Sequence, residues 1–135
     1  MNIFLSCVKT KRKYPCKAKD MYISPLFIKS LQVARKLTDD RHIFILSAKY
    51  GLLRLEDEIE PYNLTLKTFT NEQIKNWGGQ IRKQAQEIGI SLNGVYLCGE
   101  TYIKGIRKYA TDIKAPLAGR SMGMRLKILT NILNK

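Results

Sequence analysis

Carboxylates, cations and tyrosines stand close together at several points of this chain, and their combination defines a chemistry. Asp20, Glu60 and Glu100 are the carboxylates flanked by polar and aromatic residues; Lys9, Lys11, Lys49 and Arg120 are cations within reach of the same segments. A carboxylate beside cations that hold a phosphate can stabilise an oxocarbenium ion, or position a water, during cleavage of an N-glycosidic bond. Tyr22, Tyr50, Tyr62 and Tyr102 supply ring faces on which a base can stack. Glu60 or Asp20 is the expected catalytic carboxylate, with Tyr50 and Tyr62 lining the base pocket. Enzymes that attack a base in a duplex flip it into such a pocket.

Other chemistries fit less well. Cys7, Cys16 and Cys98 are widely spaced, and His42 is the lone histidine. Three scattered cysteines make neither a disulfide framework nor a paired metal-ligand pattern, so no metal and no cofactor is expected. Lysines beside Cys7 would favour its thiolate. His42, however, lies at the far end of its strand from the expected site, which argues against Cys-His or Ser-His catalysis. Cys7 and Cys98 also read as small buried hydrophobes at strand ends.

The elements that position these groups alternate between strand and helix. Ile43 to Leu46 is a continuous apolar run, as in a strand covered on both faces. It runs into Ser47, Lys49, Tyr50 and Gly51, where Gly51 can turn the backbone. A long loop follows, with Glu56, Asp57, Glu58 and Glu60 before Pro61 and Tyr62. That acidic cluster reads either as a solvated loop or as part of the site. Pro61 pushes Glu60 into an extended conformation.

Met1 to Val8 is the first strand, with Ser6 and Cys7 at its end, and a basic, broken loop from Lys9 to Lys17 follows. This loop is either a phosphate track or a flexible solvated segment. Ser24 and Pro25 cap a helix that ends at Asp39 and Asp40. A second helix spans Glu72 to Ile88, where Gly78 and Gly79 imply a break or a close contact. Trp77 on it belongs to the core.

Val95 to Gly99 is a third strand, and Glu100 to Tyr102 leads into a helix from Ile103 to Ala110. Ile113 to Leu117 is a short fourth strand, held to an edge by Pro116. Ser121 caps a last helix running to Leu133. Gly119 and Arg120 stand at its entry, with Arg125 and Lys127 near, a candidate phosphate site. The expected fold is a single α/β domain over 1–135, three-layered, with a mainly parallel sheet of about four strands. In such sheets ligands bind at the carboxyl ends of the strands, where Ser47, Lys49 and Tyr50 fall; Ser6, Cys7 and Gly99 are further candidate binding residues.

Net charge is +13 and unevenly spread. Residues 1–38 carry nine Lys and Arg against Asp20 alone, and residues 101–135 carry eight against Asp112 alone. If the two ends meet, they form one basic face suited to a polyanion. No segment has the length and apolarity of a membrane span, and no signal-peptide pattern opens the chain, so a cytoplasmic protein is expected.

A resemblance adds to this reading. Ser6-Cys7 followed by lysines, Asp20-x-Tyr22-x-Ser24-x-x-Phe27, Leu46-Ser47-Ala48-Lys49-Tyr50-Gly51-Leu52-Leu53, Glu60-Pro61-Tyr62 and Pro116-Leu117-x-Gly119 resemble small bacterial and phage domains of unknown function. More distantly, they resemble YaaA-type proteins, which are associated with peroxide stress and DNA binding and carry a helix-hairpin-helix element. This chain is shorter and lacks a clear copy of that element. The resemblance implies contact with nucleic acid.

The leading expectation is therefore a nucleic-acid-directed enzyme, resembling a DNA glycosylase. The alternatives are a non-catalytic DNA-binding module and a small-nucleotide hydrolase or transferase. Convergence of Glu60, Asp20 and Lys49 in one pocket favours an enzyme, and their separation favours the module. A steep salt dependence separates both nucleic-acid readings from a mononucleotide site.

Overall fold

The computed structural model describes residues 1–135. In chain order its elements are β1 (Asn2–Ser6), β2 (Cys16–Lys17), α1 (Ala18–Met21), α2 (Pro25–Leu37), β3 (Ile43–Ser47), β4 (Gly51–Arg54), β5 (Glu58–Ile59), α3 (Asn71–Ile88), β6 (Gly94–Leu97), α4 (Glu100–Ile106), β7 (Ile113–Lys114) and α5 (Met122–Leu133). The main sheet has the order β4-β3-β1-β6-β7, and β2 and β5 form a separate ribbon. β3, β1, β6 and β7 are parallel, while β4 is antiparallel at the edge.

The chain winds from β1 leftward to β3 and returns through α3 to β6 on the other side of β1. α2 packs against α5, and α3 packs against α4. The result is a three-layer α/β domain whose winding reverses between β1 and β6. Phe4 of β1 stacks on Tyr96 of β6 at 4.5 Å and on Phe44 of β3 at 5.7 Å, so aromatic rings tie the three central strands together. Phe4, Phe44 and Tyr96 are all buried. Such pairs contribute about 0.5–1.5 kcal/mol beyond area burial.

Two local readings change and one is decided. The sheet gains β4, which the sequence reading had given to the loop after Leu46. Ala48 to Tyr50 form only a tight turn, and Gly51, at φ +75°, sends the chain back along β3. A side chain at Gly51 would also collide with Gln84, whose Oε1 accepts from Leu52 N–H at 2.8 Å and whose Nε2 donates to the Tyr50 carbonyl at 3.0 Å. Of the break or close contact expected at Gly78 and Gly79, the structure has the contact, at Gly78 alone: α3 is unbroken, and Gly78 meets the Gly105 backbone of α4. α4 begins at Glu100, three residues before the start expected from the sequence.

The caps at Ser24 and Ser121 are where the sequence suggests, and α3 gains one at Thr70. Ser24 accepts from Phe27 N–H, Ser121 accepts from Met124 N–H, and Thr70 with Gln73 forms a capping box. Trp77 is buried, and its indole N–H donates to the Ser47 carbonyl at 2.9 Å, pinning α3 to the end of β3.

Candidate functional site

A cavity of about 690 Å³ opens at the carboxyl ends of β1 and β6, where the winding reverses. Crevices at this point are where doubly wound sheets bind ligands, and the volume lies in the range of small-molecule sites. Ser6, Cys7, Lys9, Gly99, Tyr102 and Gly119, all expected site residues, line it. Glu100 is its one carboxylate, and Lys67 and Arg125 join Lys9 as its cations. Val8, Leu26 and Leu126 give it apolar walls.

Each wall has a local cause. Cys7 continues β1 through a Cys7 N–H to Leu46 carbonyl bond at 2.9 Å, which buries its thiol at the cavity floor. The Tyr102 hydroxyl meets Cys7 Sγ at 3.2 Å, and the Tyr102 ring meets Trp77 edge-on at 5.7 Å, so the ring is fixed from two sides. Arg125 donates from Nε to the Leu117 carbonyl at 3.1 Å, leaving its two terminal nitrogens uncommitted. They lie against the bare face of Gly99, where a Cβ would come within 3.1 Å of one of them. Lys9, Lys67 and Arg125 have no carboxylate within ion-pair distance. The N-terminus of α5 adds its dipole to theirs. Glu100 pairs with Arg107 at 3.1 Å and keeps its side chain 58% exposed.

The remaining expected residues do not line this cavity. Tyr22, Ser47, Tyr50 and Tyr62 form a hydrogen-bonded cluster at the end of β3. The Tyr62 hydroxyl bonds both Tyr22 and Ser47 at 2.7 Å, and Ser47 Oγ accepts the Lys49 and Tyr50 amides at 3.2 and 3.0 Å. Lys11 lies 4.5 Å from the Tyr62 ring centroid. Burial lowers the Lys11 pKa from the ordinary lysine value. The Tyr50 hydroxyl receives the Glu60 amide at 3.1 Å, so Glu60 is held by its backbone while its side chain stays exposed. The Asp20 side chain is also exposed, and its carbonyl accepts from Arg12 at 2.9 Å. Lys49 and Arg120 are exposed outside the cavity as well. Glu60, Asp20 and Lys49 therefore do not converge there, and the carboxylate at the cavity is Glu100 alone.

The acidic cluster has its own explanation. Glu56 pairs with Lys17 at 2.6 Å and Lys19 at 2.9 Å, and Asp57 caps the turn by accepting the Arg54 amide at 2.8 Å. The two lysine hydrogen bonds hold the Glu56 pKa down at about 2. Cys16 is partly buried, and Cys98 is fully enclosed, with burial pushing its pKa up. No three potential metal ligands come together.

Burial also pushes the Tyr22, Tyr62, Tyr96 and Tyr102 hydroxyls above the ordinary tyrosine value of 10.0. These groups hold their protons more tightly folded than unfolded, so the stability tied to them is present below pH 10 and lost as pH rises above it. The urea midpoint is expected to fall steeply above about pH 10. Tyr62→Phe is expected to make that fall shallower while costing about 1–3 kcal/mol at neutral pH, because the Tyr22 hydroxyl loses a partner. An unchanged alkaline limb in the variant would remove Tyr62 from this account.

Fold and cavity together define a doubly wound α/β domain with an open crevice at its switch point. A family model described as "Family of unknown function (DUF6884)" matches residues 3–131, and the chain belongs to that family. This agrees with the resemblance to small domains of unknown function, and nothing in the match reaches to YaaA-type proteins. No curated protein matches the chain. No helix is long and apolar enough to cross a membrane.

Proposed function

We propose that this domain binds a nucleotide unit of a nucleic acid in the switch-point cavity and hydrolyses its N-glycosidic bond. The observation that carries the reading is the meeting, in one cavity, of cations without carboxylate partners, apolar walls and a single carboxylate. Lys9, Lys67 and Arg125 hold the phosphate, the Tyr102 ring and the apolar wall take the base, and Glu100 faces the sugar. In the reaction the C1′–N bond breaks and its electron pair leaves with the base. Glu100 stabilises the positive charge that builds on the sugar, water adds to C1′, and the base nitrogen takes up the proton that this water releases.

The second reading, a binding module without catalysis, is favoured by the separation of Glu60 and Asp20 from the cavity. Incubation with DNA and RNA carrying normal and modified bases separates the two. A free base released by the wild-type protein supports the enzyme. Tight binding with no product from any of these substrates overturns the reaction and leaves the module.

The phosphate subsite has an independent check. Arg125→Met is expected to weaken binding of a nucleoside monophosphate about 10- to 100-fold, the value of hydrogen bonds to a charged group. Arg125→Lys should fall between the two, because it keeps the charge and loses the fork. Equal affinity of all three proteins by calorimetry would rule Arg125 out as a phosphate ligand.

A further inference from the structure

We infer that the segment from Lys9 to Tyr14 is a track for single-stranded nucleic acid leading out of the cavity, with the exposed ring of Tyr14 stacking on a base outside it. The inference rests on the nucleotide reading of the cavity and adds to it the form of the substrate.

The segment starts inside the site, since Lys9 and Thr10 line the cavity. From Thr10 to Arg12 it is held by the body of the domain. Thr10 accepts the Ile23 amide at 3.1 Å, Lys11 and Tyr22 form an antiparallel bridge, and the Arg12 amide donates to Met21 at 2.9 Å. Five residue steps at up to about 3.5 Å each give a reach of up to about 17 Å, enough for a few nucleotides.

Charge is unevenly neutralised along this edge. Lys17 and Lys19 are paired with Glu56, whereas Lys9, Lys11, Arg12 and Lys13 have no carboxylate partner. Glu56 thus neutralises the lysines that follow the track and leaves the track's own cations unpaired. Tyr14 is 55% exposed, yet it is not loose. Arg12 donates from Nη1 to its hydroxyl at 3.0 Å, and the guanidinium carbon lies 5.8 Å from its ring centroid. Arg12 itself is anchored to the Asp20 carbonyl at 2.9 Å. An aromatic face presented on a row of unpaired cations suits the combination of backbone tracking and base stacking. A duplex hides its base faces and cannot use the ring.

The experiment measures fluorescence anisotropy of a short labelled oligonucleotide, single-stranded as DNA and as RNA, and of the DNA duplex. Mononucleotide binding is followed by calorimetry. Single strands are expected to bind tighter than the duplex, with a log–log salt slope of about −2 to −3 for three or four phosphates. Tyr14→Ala should weaken single-strand binding about 5- to 100-fold, leaving mononucleotide binding unchanged, while Tyr14→Phe stays near wild type. Equal binding of duplex and single strand overturns the inference, as does an equal loss in Tyr14→Phe or no loss in Tyr14→Ala. Tyr14-dependent binding with no free base released would leave the track standing and remove the reaction. Base release from duplex, unaffected by Tyr14, would remove the track and leave the reaction.

Discussion

Gly78→Ala should destabilise the domain by about 3 kcal/mol, near the upper end for overpacking a well-packed contact, whereas Gly79→Ala should leave it equal or more stable. Both glycines lie inside α3, so each substitution gains up to about 1 kcal/mol of helix propensity. What differs is the surroundings. A Cβ on Gly78 would come within 1.8 Å of the Gly105 carbonyl oxygen, which is backbone and cannot rotate away. A Cβ on Gly79 meets nothing nearer than the Tyr109 hydroxyl at 3.7 Å, an ordinary contact.

The Gly78 methyl therefore has to push α4 off α3. Gly105 is constrained in return, because its own Cβ would approach the Trp77 ring at 3.0 Å. α4 carries Glu100 and Tyr102 into the cavity, so the displacement should also reach the site, where misplacement by about 1 Å can cost 100-fold. Urea denaturation of the two variants beside wild type checks the sign and size. Equal stability of Gly78→Ala and wild type would mean that the helix crossing is looser than its geometry implies.

These two residues illustrate how far the fold is legible before any coordinates. A glycine pair in an amphipathic pattern announces that something unusual happens there, but only the packing partner decides between kink and contact. The strand Ile43–Ser47 and the caps at Ser24 and Ser121 are readable because their signals are local: an apolar run, and a hydroxyl before the first helical turn. β4 is not readable. Gly51 to Arg54 is short and lacks alternation, and its pairing is created by the turn at Gly51. Strand order depends on where the helices pack, which no single segment encodes.

The site divides along the same line. Ser6, Cys7 and Gly99, candidates at strand ends, line the cavity, whereas Ser47, Lys49 and Tyr50, to which the strand-end rule points most directly, do not. The most distinctive sequence motif, Ser47 to Gly51 with Pro61 and Tyr62, instead bonds to itself in the tyrosine cluster. Glu60 looked well aimed because Pro61 fixes its backbone, but a fixed backbone at the surface points a carboxylate at water. Arg125 rather than Arg120 enters the cavity for reasons of helix phase. Arg120 precedes the Ser121 cap, while Arg125 sits one turn into α5, on the side facing Gly99. Glu100 was visible only as one carboxylate among several, since its neighbours come from β1 and α5, far away in the chain.

Glu100→Gln is expected to lower base release at least 100-fold, as for loss of a group that stabilises transition-state charge, with little effect on nucleotide affinity. The substitution keeps the size and one acceptor oxygen while removing the negative charge that would stabilise an oxocarbenium ion. Ground-state binding rests instead on Lys9, Lys67, Arg125 and the apolar wall, none of which the substitution touches. The effect should therefore appear in kcat and leave the dissociation constant alone. The Glu100 carboxylate also receives Arg107 at 3.1 Å, so Arg107→Gln is the necessary companion: it breaks the same ion pair while leaving the carboxylate in place. If the carboxylate acts on the sugar, Arg107→Gln retains most of the turnover that Glu100→Gln loses. Equal losses in the two variants would make the ion pair a support for α4 and not a catalytic group. Unchanged turnover in Glu100→Gln would take the carboxylate out of the reaction. The cavity holds no other carboxylate to replace it, so cleavage that persists without Glu100 would take place outside this cavity and leave the cavity itself a binding site.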